Sequence, residues 1–120
     1  GVDFVGRLDV GNGFAKVEVV VLGQAKCENY KKPTNGVHLA RTVARLKRGW
    51  IGAYVTTSFF SEGSQREISE DRYPLITVNG LELARETLRL IEESGSRDIL
   101  DYLKILDVEY MVESTNLRFV

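Results

Sequence analysis

The dipeptide Asn12-Gly13 sets the first constraint on this chain. It stands between two strand-like runs, and Asn-Gly in that setting is the strongest short signal for a β-hairpin. The second run, Val17 to Leu22, is mostly apolar and leads into the triplet Gln24, Ala25, Lys26. Side chains alternate faces along a strand, so Gln24 and Lys26 share one face and Ala25 takes the other. If Asn12 and Gly13 are the two loop residues, Gly11 pairs with Phe14 and Asp3 falls opposite Leu22. Directly opposed residues share a face, so Asp3, Gln24 and Lys26 converge on one side. A carboxylate, a carbonyl oxygen and a primary amine so placed can bind a hard divalent cation and steer a phosphate. Asp9 has the same parity, but in this register it pairs with Lys16, roughly 26 Å from Gln24 at ~3.3 Å per residue. An Asp opposite a Lys also reads simply as a cross-strand ion pair.

The runs 2–10 and 15–27 therefore form a long hairpin. Residues 28–36 are polar, with Pro33 and Gly36, and read as a loop. Leu39, Val43 and Leu46 recur at helical spacing, so 37–48 is a helix ended by Gly49. Trp50 to Thr57 is an apolar strand. Ser61 to Asp71 is a short helix, with capping-box spacing from Ser64 to Glu67. Leu75 to Val78 is a strand, closed by Asn79-Gly80. Leu81 to Glu93 is a helix with Leu81, Ala84, Leu88 and Ile91 on one stripe, broken by Ser94-Gly95-Ser96. Arg97 to Leu106 is a further helix, and 107–120 is ambiguous, with strand as one reading. The order predicts an α/β fold: a mixed β-sheet, hairpin plus parallel strands, flanked by helices.

The chain has one domain's length, and its 43% apolar and 28% charged residues are ordinary for a globular protein. Sixteen basic residues balance seventeen acidic ones, so nucleic-acid contact would need local clustering. The single cysteine, Cys27, excludes an internal disulfide and a multi-cysteine zinc site; its parity predicts a small buried apolar residue. No stretch approaches the ~18 apolar residues that span a bilayer, and no signal peptide is seen, so a membrane role is not expected.

The order Asp3, then Gln24-Ala25-Lys26 about twenty residues on, then a strand ending Thr56-Thr57-Ser58, resembles the Mrr-like branch of the PD-(D/E)xK nucleases. The segments Gly1 to Gly6, Leu22 to Cys27 and Ala53 to Ser58 are similar to the catalytic domain of modification-dependent restriction endonucleases of the MspJI type. The resemblance covers roughly residues 1–92. It implies a restriction-endonuclease-like fold, with residues 1–120 a single endonuclease catalytic domain from the C-terminal part of a longer protein. The family's N-terminal helix is missing from the fragment, and 97–120 would be a peripheral extension. The resemblance further implies a magnesium ion, or manganese in its place, held by Asp3, Gln24 and the backbone carbonyl of Ala25. The ammonium of Lys26 would orient the attacking water. Double-stranded DNA would be the substrate, read by an upstream recognition domain of the same chain. A homo-oligomer would make the double-strand cut in a prokaryotic cytoplasm.

Arg41, Arg45 and Arg48 recur opposite the apolar stripe of the 37–48 helix, with Lys31 and Lys32 before it. They suit phosphate contact, and equally a solvated basic face. Thr56, Thr57 and Ser58 end a strand where hydroxyls could meet phosphate. His38, the only histidine, has no second His or Cys cluster to make a zinc site. Two function classes stand: a metal-dependent endonuclease domain, with a repair or Holliday-junction nuclease as a variant, and a non-catalytic nuclease-fold module that binds DNA or builds an oligomer. The intact Asp3, Gln24, Lys26 set favours the first.

Overall fold

The computed structural model describes residues 2–117. Two compact units divide the chain, residues 1–83 and 84–120.

The first unit is built on a four-stranded sheet in the order β1-β2-β3-β4: β1 (Phe4–Val10), β2 (Val17–Lys26), β3 (Ile51–Thr56) and β4 (Leu75–Val78). β1 and β2 are antiparallel, while β3 and β4 add in parallel through helical crossovers. The crossovers are α1 (Gly36–Ala44) and α2 (Glu62–Glu70). Both bring side chains to one core, where Leu39 of α1 and Tyr54 of β3 pack with Phe60, against Ile68 of α2 and Leu75. Tyr54 and Phe60 meet edge-to-face with centroids 6.0 Å apart. Helices on one face of a mixed sheet are the α/β architecture expected.

The hairpin register differs from the expected one. Asp9 pairs with Glu18 and Val10 with Val17, a shift of two residues. A two-residue type I′ turn needs positive φ at both central residues. Asn12 instead is extended, and positive φ falls on Gly11 and Gly13, which leads into a 3₁₀ turn at Gly13–Ala15. The connection is longer as a result. Because the shift is even, every side chain keeps its face. Asp9 now lies six pairs from Gln24, roughly 20 Å at ~3.3 Å per residue. It still makes its ion pair with Lys16, diagonally, at 3.2 Å.

Helix α1 ends at Ala44, four residues before the expected end. The N–H groups of Arg45 and Leu46 fold back onto Thr42 O and Val43 O. A separate turn follows, with Trp50 N–H donating to Lys47 O. Gly49, at φ +81°, is its third residue, so it serves this turn and not a helix cap. Ser61, not Ser64, caps α2, its hydroxyl accepting from Ser64 N–H. Cys27 lies just past β2 and is exposed, not buried.

Helix α3 (Gly80–Ser94) begins in the first unit, where Asn79 Oδ1 accepts from Glu82 N–H, and continues into the second. It ends in a Schellman motif: Gly95, at φ +72°, donates to Glu92 O and Ser96 to Ile91 O. Helix α4 then runs from Ile99 to Leu117. Its start is fixed by Asp98 Oδ1 accepting from Asp101 N–H, while Arg97 N–H donates to Asp101 Oδ2. The segment 107–117, for which a strand was one reading, is thus helical; 118–120 lie outside the described residues. No glycine or proline interrupts α4, so nothing ends it at Leu106.

Candidate active site

Three strand ends converge where β2 leaves the sheet. Asp3 stands one residue before Phe4, whose ring lies over Gly23; a Cβ on Gly23 would come within 2.0 Å of that ring. The absent side chain lets β1 start close against β2. Asp3 N–H donates to Gly23 O at 2.9 Å, and Asp3 Oδ2 accepts from Ala25 N–H at 2.8 Å. Asp3 is therefore bonded to both neighbours of Gln24. The N–H and C=O of one strand residue leave the same edge, and alternate residues take opposite edges. Ala25 thus turns its carbonyl toward the edge where Asp3 stands, while Lys26 O turns to β3 and accepts from Thr57 N–H at 3.1 Å.

The side chains of Gln24 and Lys26 leave the sheet on the α1 side. With Tyr54, which pairs with Gln24 across β2 and β3, they line a cleft of about 110 Å³ whose other wall is His38, Arg41 and Arg45. The cationic residues of α1 were expected opposite its apolar stripe. The buried residues of α1 are Leu39 and Thr42, which lie only about 100° of helix rotation from the 38/41/45 row. That angle carries the row to the seam between helix and sheet. Arg48 lies in the turn beyond α1, outside this lining.

The loop after β2 is pinned by hydroxyls. Thr57 Oγ1 accepts from Glu28 N–H and donates to Glu28 O, at 2.7 and 2.6 Å. Ser58 Oγ donates to Lys32 O. Thr56 is fully buried, accepting from Ser58 N–H and bonded with Thr34 Oγ1. The hydroxyls of Thr56 and Ser58 therefore point inward, away from any passing phosphate. Lys31 and Lys32 are exposed on this loop, with the Lys31 ammonium 5.7 Å from the Tyr30 ring centroid.

Sequence reasoning passed over Glu28. Its carboxylate accepts from Tyr54 Oη at 3.2 Å and Thr34 Oγ1 at 3.0 Å, tying the loop to the core beneath the cleft. Burial first, and then the Glu28 carboxylate, push the Tyr54 phenol well above its ordinary pKa. The signal was present: Glu28 continues the alternation of Gln24 and Lys26.

Among the described residues, no three His, Cys, Asp or Glu side chains gather to hold a metal, and no helix is long and apolar enough to cross a membrane. Any cation at Asp3 would rest on one carboxylate with amide and backbone oxygens.

An antiparallel hairpin extended by parallel strands, with a carboxylate, an amide and a lysine at its open end, is a restriction-endonuclease-like α/β arrangement. No protein-family model matches the chain, and no curated protein does. Two solved structures do. The restriction endonuclease MspJI, in complex with a 27-mer oligonucleotide, is 46% identical over 82% of this chain, with a TM-score of 0.76. The DNA modification-dependent restriction endonuclease AspBHI is 26% identical over 86% of it, with a TM-score of 0.67. This chain spans 22% of the first and 26% of the second. The chain belongs to the same family as that segment of the MspJI-type restriction endonucleases.

Proposed function

We propose that this chain is the catalytic segment of a magnesium-dependent, type II-like DNA endonuclease that restricts modified DNA, with the modified base read by another part of a longer protein. The observation that carries the reading is the placement of Asp3. Its carboxylate is held on the Ala25 amide, beside Gln24 and at the strand end that carries Lys26. The likeness to a segment of MspJI and AspBHI supports the same reading.

The donor set fits the metal. Magnesium takes oxygen ligands and keeps several waters, so the Asp3 carboxylate, the Gln24 amide oxygen and the Ala25 carbonyl suffice beside a substrate phosphate. Bound there, it would offset charge on the phosphate and lower the pKa of a water. Gln24 is neutral where an acid would add charge, so this site binds cations weakly until phosphate arrives. The chain's own work falls to two groups. Asp3 keeps its geometry because Ala25 N–H holds one oxygen. Lys26 donates from a compact ammonium to the water or to the phosphate oxygens. Cutting both strands of a duplex takes two such sites, which a homo-oligomer supplies.

Manganese binding followed by calorimetry tests the metal assignment. Asp3→Asn is expected to abolish it and Asp9→Asn to leave it unchanged. Chelation with EDTA is expected to stop plasmid nicking. Loss of binding with Asp9→Asn alone would contradict the site.

A further inference from the structure

We propose that the cleft between α1 and the sheet is an oxyanion subsite for one phosphodiester group of the DNA backbone, and that His38 is one of its ligands. The identity of the phosphate rests on the nuclease reading above; the binding itself does not.

The walls carry the argument. Lys26 faces His38, Arg41 and Arg45, with Gln24 and Tyr54 completing the lining, and no carboxylate is among these residues. Glu28, beneath the cleft, is engaged by Tyr54 Oη and Thr34 Oγ1. Three formal positive charges from a strand and a helix thus share one concave space. Clefts lined by one sign of charge focus the field and concentrate the opposite ion. A solvated basic helix face would spread its charges outward instead. Gln24 and Lys26 belong also to the proposed metal site, so the cleft adjoins the Asp3 site and extends it toward α1.

The cleft, of about 110 Å³, has room for one tetrahedral phosphate. Guanidinium groups bind phosphate oxygens with paired, charge-assisted hydrogen bonds. His38 stands one helical turn from Arg41 and two from Arg45. Its place is set by Asn35, which accepts from Val37 N–H, and by Thr42 Oγ1, which donates to His38 O. The half-buried imidazole lines the same space as Arg41 and Arg45.

His38 is the only histidine in the chain, so its ring gives a single set of ¹H–¹³C resonances. The 120-residue chain, in EDTA and at constant ionic strength set with chloride, is titrated with dimethyl phosphate and, separately, with inorganic phosphate. The expected result is a saturable shift of the His38 signals with both. Arg41→Gln, an exposed substitution, should weaken each by about tenfold, the loss of one charge-assisted hydrogen bond. Asp9→Asn, six residue pairs along the hairpin, should change neither. A shift with inorganic phosphate alone would overturn the backbone assignment in favour of a free or terminal phosphate. No saturable shift, or one indifferent to Arg41→Gln, would overturn the subsite. Because the metal is absent throughout, an inactive nuclease does not affect this outcome, and an active one does not rescue it.

Discussion

Tyr54 joins the core to the site. Its ring is fully buried among Leu39 and Phe60, while its hydroxyl donates to Glu28 at 3.2 Å. Tyr54→Phe removes that bond and leaves one carboxylate oxygen of Glu28 without it, so a loss of about 1–2 kcal/mol is expected in urea denaturation near neutral pH. The phenol is held protonated above its ordinary pKa of 10.0. Above about pH 10 the unfolded chain releases this proton while the folded one keeps it. The stability it contributes is present below pH 10 and is lost as pH rises toward the folded value. Wild type should therefore lose more stability than Tyr54→Phe between about pH 8 and pH 11. Equal losses would show that Tyr54 does not govern the alkaline limb. At this scale the sequence was legible through parity alone. Gln24 and Lys26 share a face in any register, and Glu28 continues their alternation, whereas the partners of Glu28 and the place of His38 depend on a loop and a helix that packing decides.

Among the elements of the first unit, α1 is shorter than its sequence reading. Leu39, Val43 and Leu46 marked a helix, yet Thr42 is buried in its place on the stripe, and the helix stops at Ala44. The small hydroxyl fits because Oγ1 bonds back to His38 O, a local option that hydrophobic periodicity does not register. Arg48, read as the third helical arginine, belongs to the turn at Gly49. DNA affinity measured against salt separates the two placements. Replacing Arg41 and Arg45 by Gln should flatten the log–log slope by about 0.9 for each phosphate that is no longer neutralised, and Arg48→Gln should flatten it less. A dominant effect from Arg48 would contradict the cleft as the place where phosphate binds. The β4–α3 junction offers an independent check. A Cβ at Gly80 would meet Thr57 O at 2.3 Å, and Gly80 N–H donates to Ser58 O at 2.6 Å. The backbone must give way, so Gly80→Ala should cost about 1–3 kcal/mol in chemical denaturation, whereas Gly63→Ala, in α2 with open space at its Cβ, should cost nothing and favour the helix.

Across the molecule, one order of residues accounts for both fold and site. The hairpin brings Asp3 to the end of β2, the parallel β3 places Tyr54 beside Gln24, and the crossover helix closes a cationic cleft over Lys26. The turn at Asn12-Gly13 misled by two residues, and the α4 segment 107–117 carried no decisive pattern. The slip leaves the faces of Asp9, Gln24 and Lys26 unchanged, because an even shift preserves faces. Plasmid nicking by the full-length protein, set beside DNA binding by the same variants, tests the central claim most directly. Affinity comes from cations spread over a surface, whereas hydrolysis needs the carboxylate and the ammonium at one point. Asp3→Ala and Lys26→Ala are each expected to reduce nicking by at least about a hundredfold while DNA binding changes by less than about tenfold. Full nicking activity in either variant would contradict the assignment.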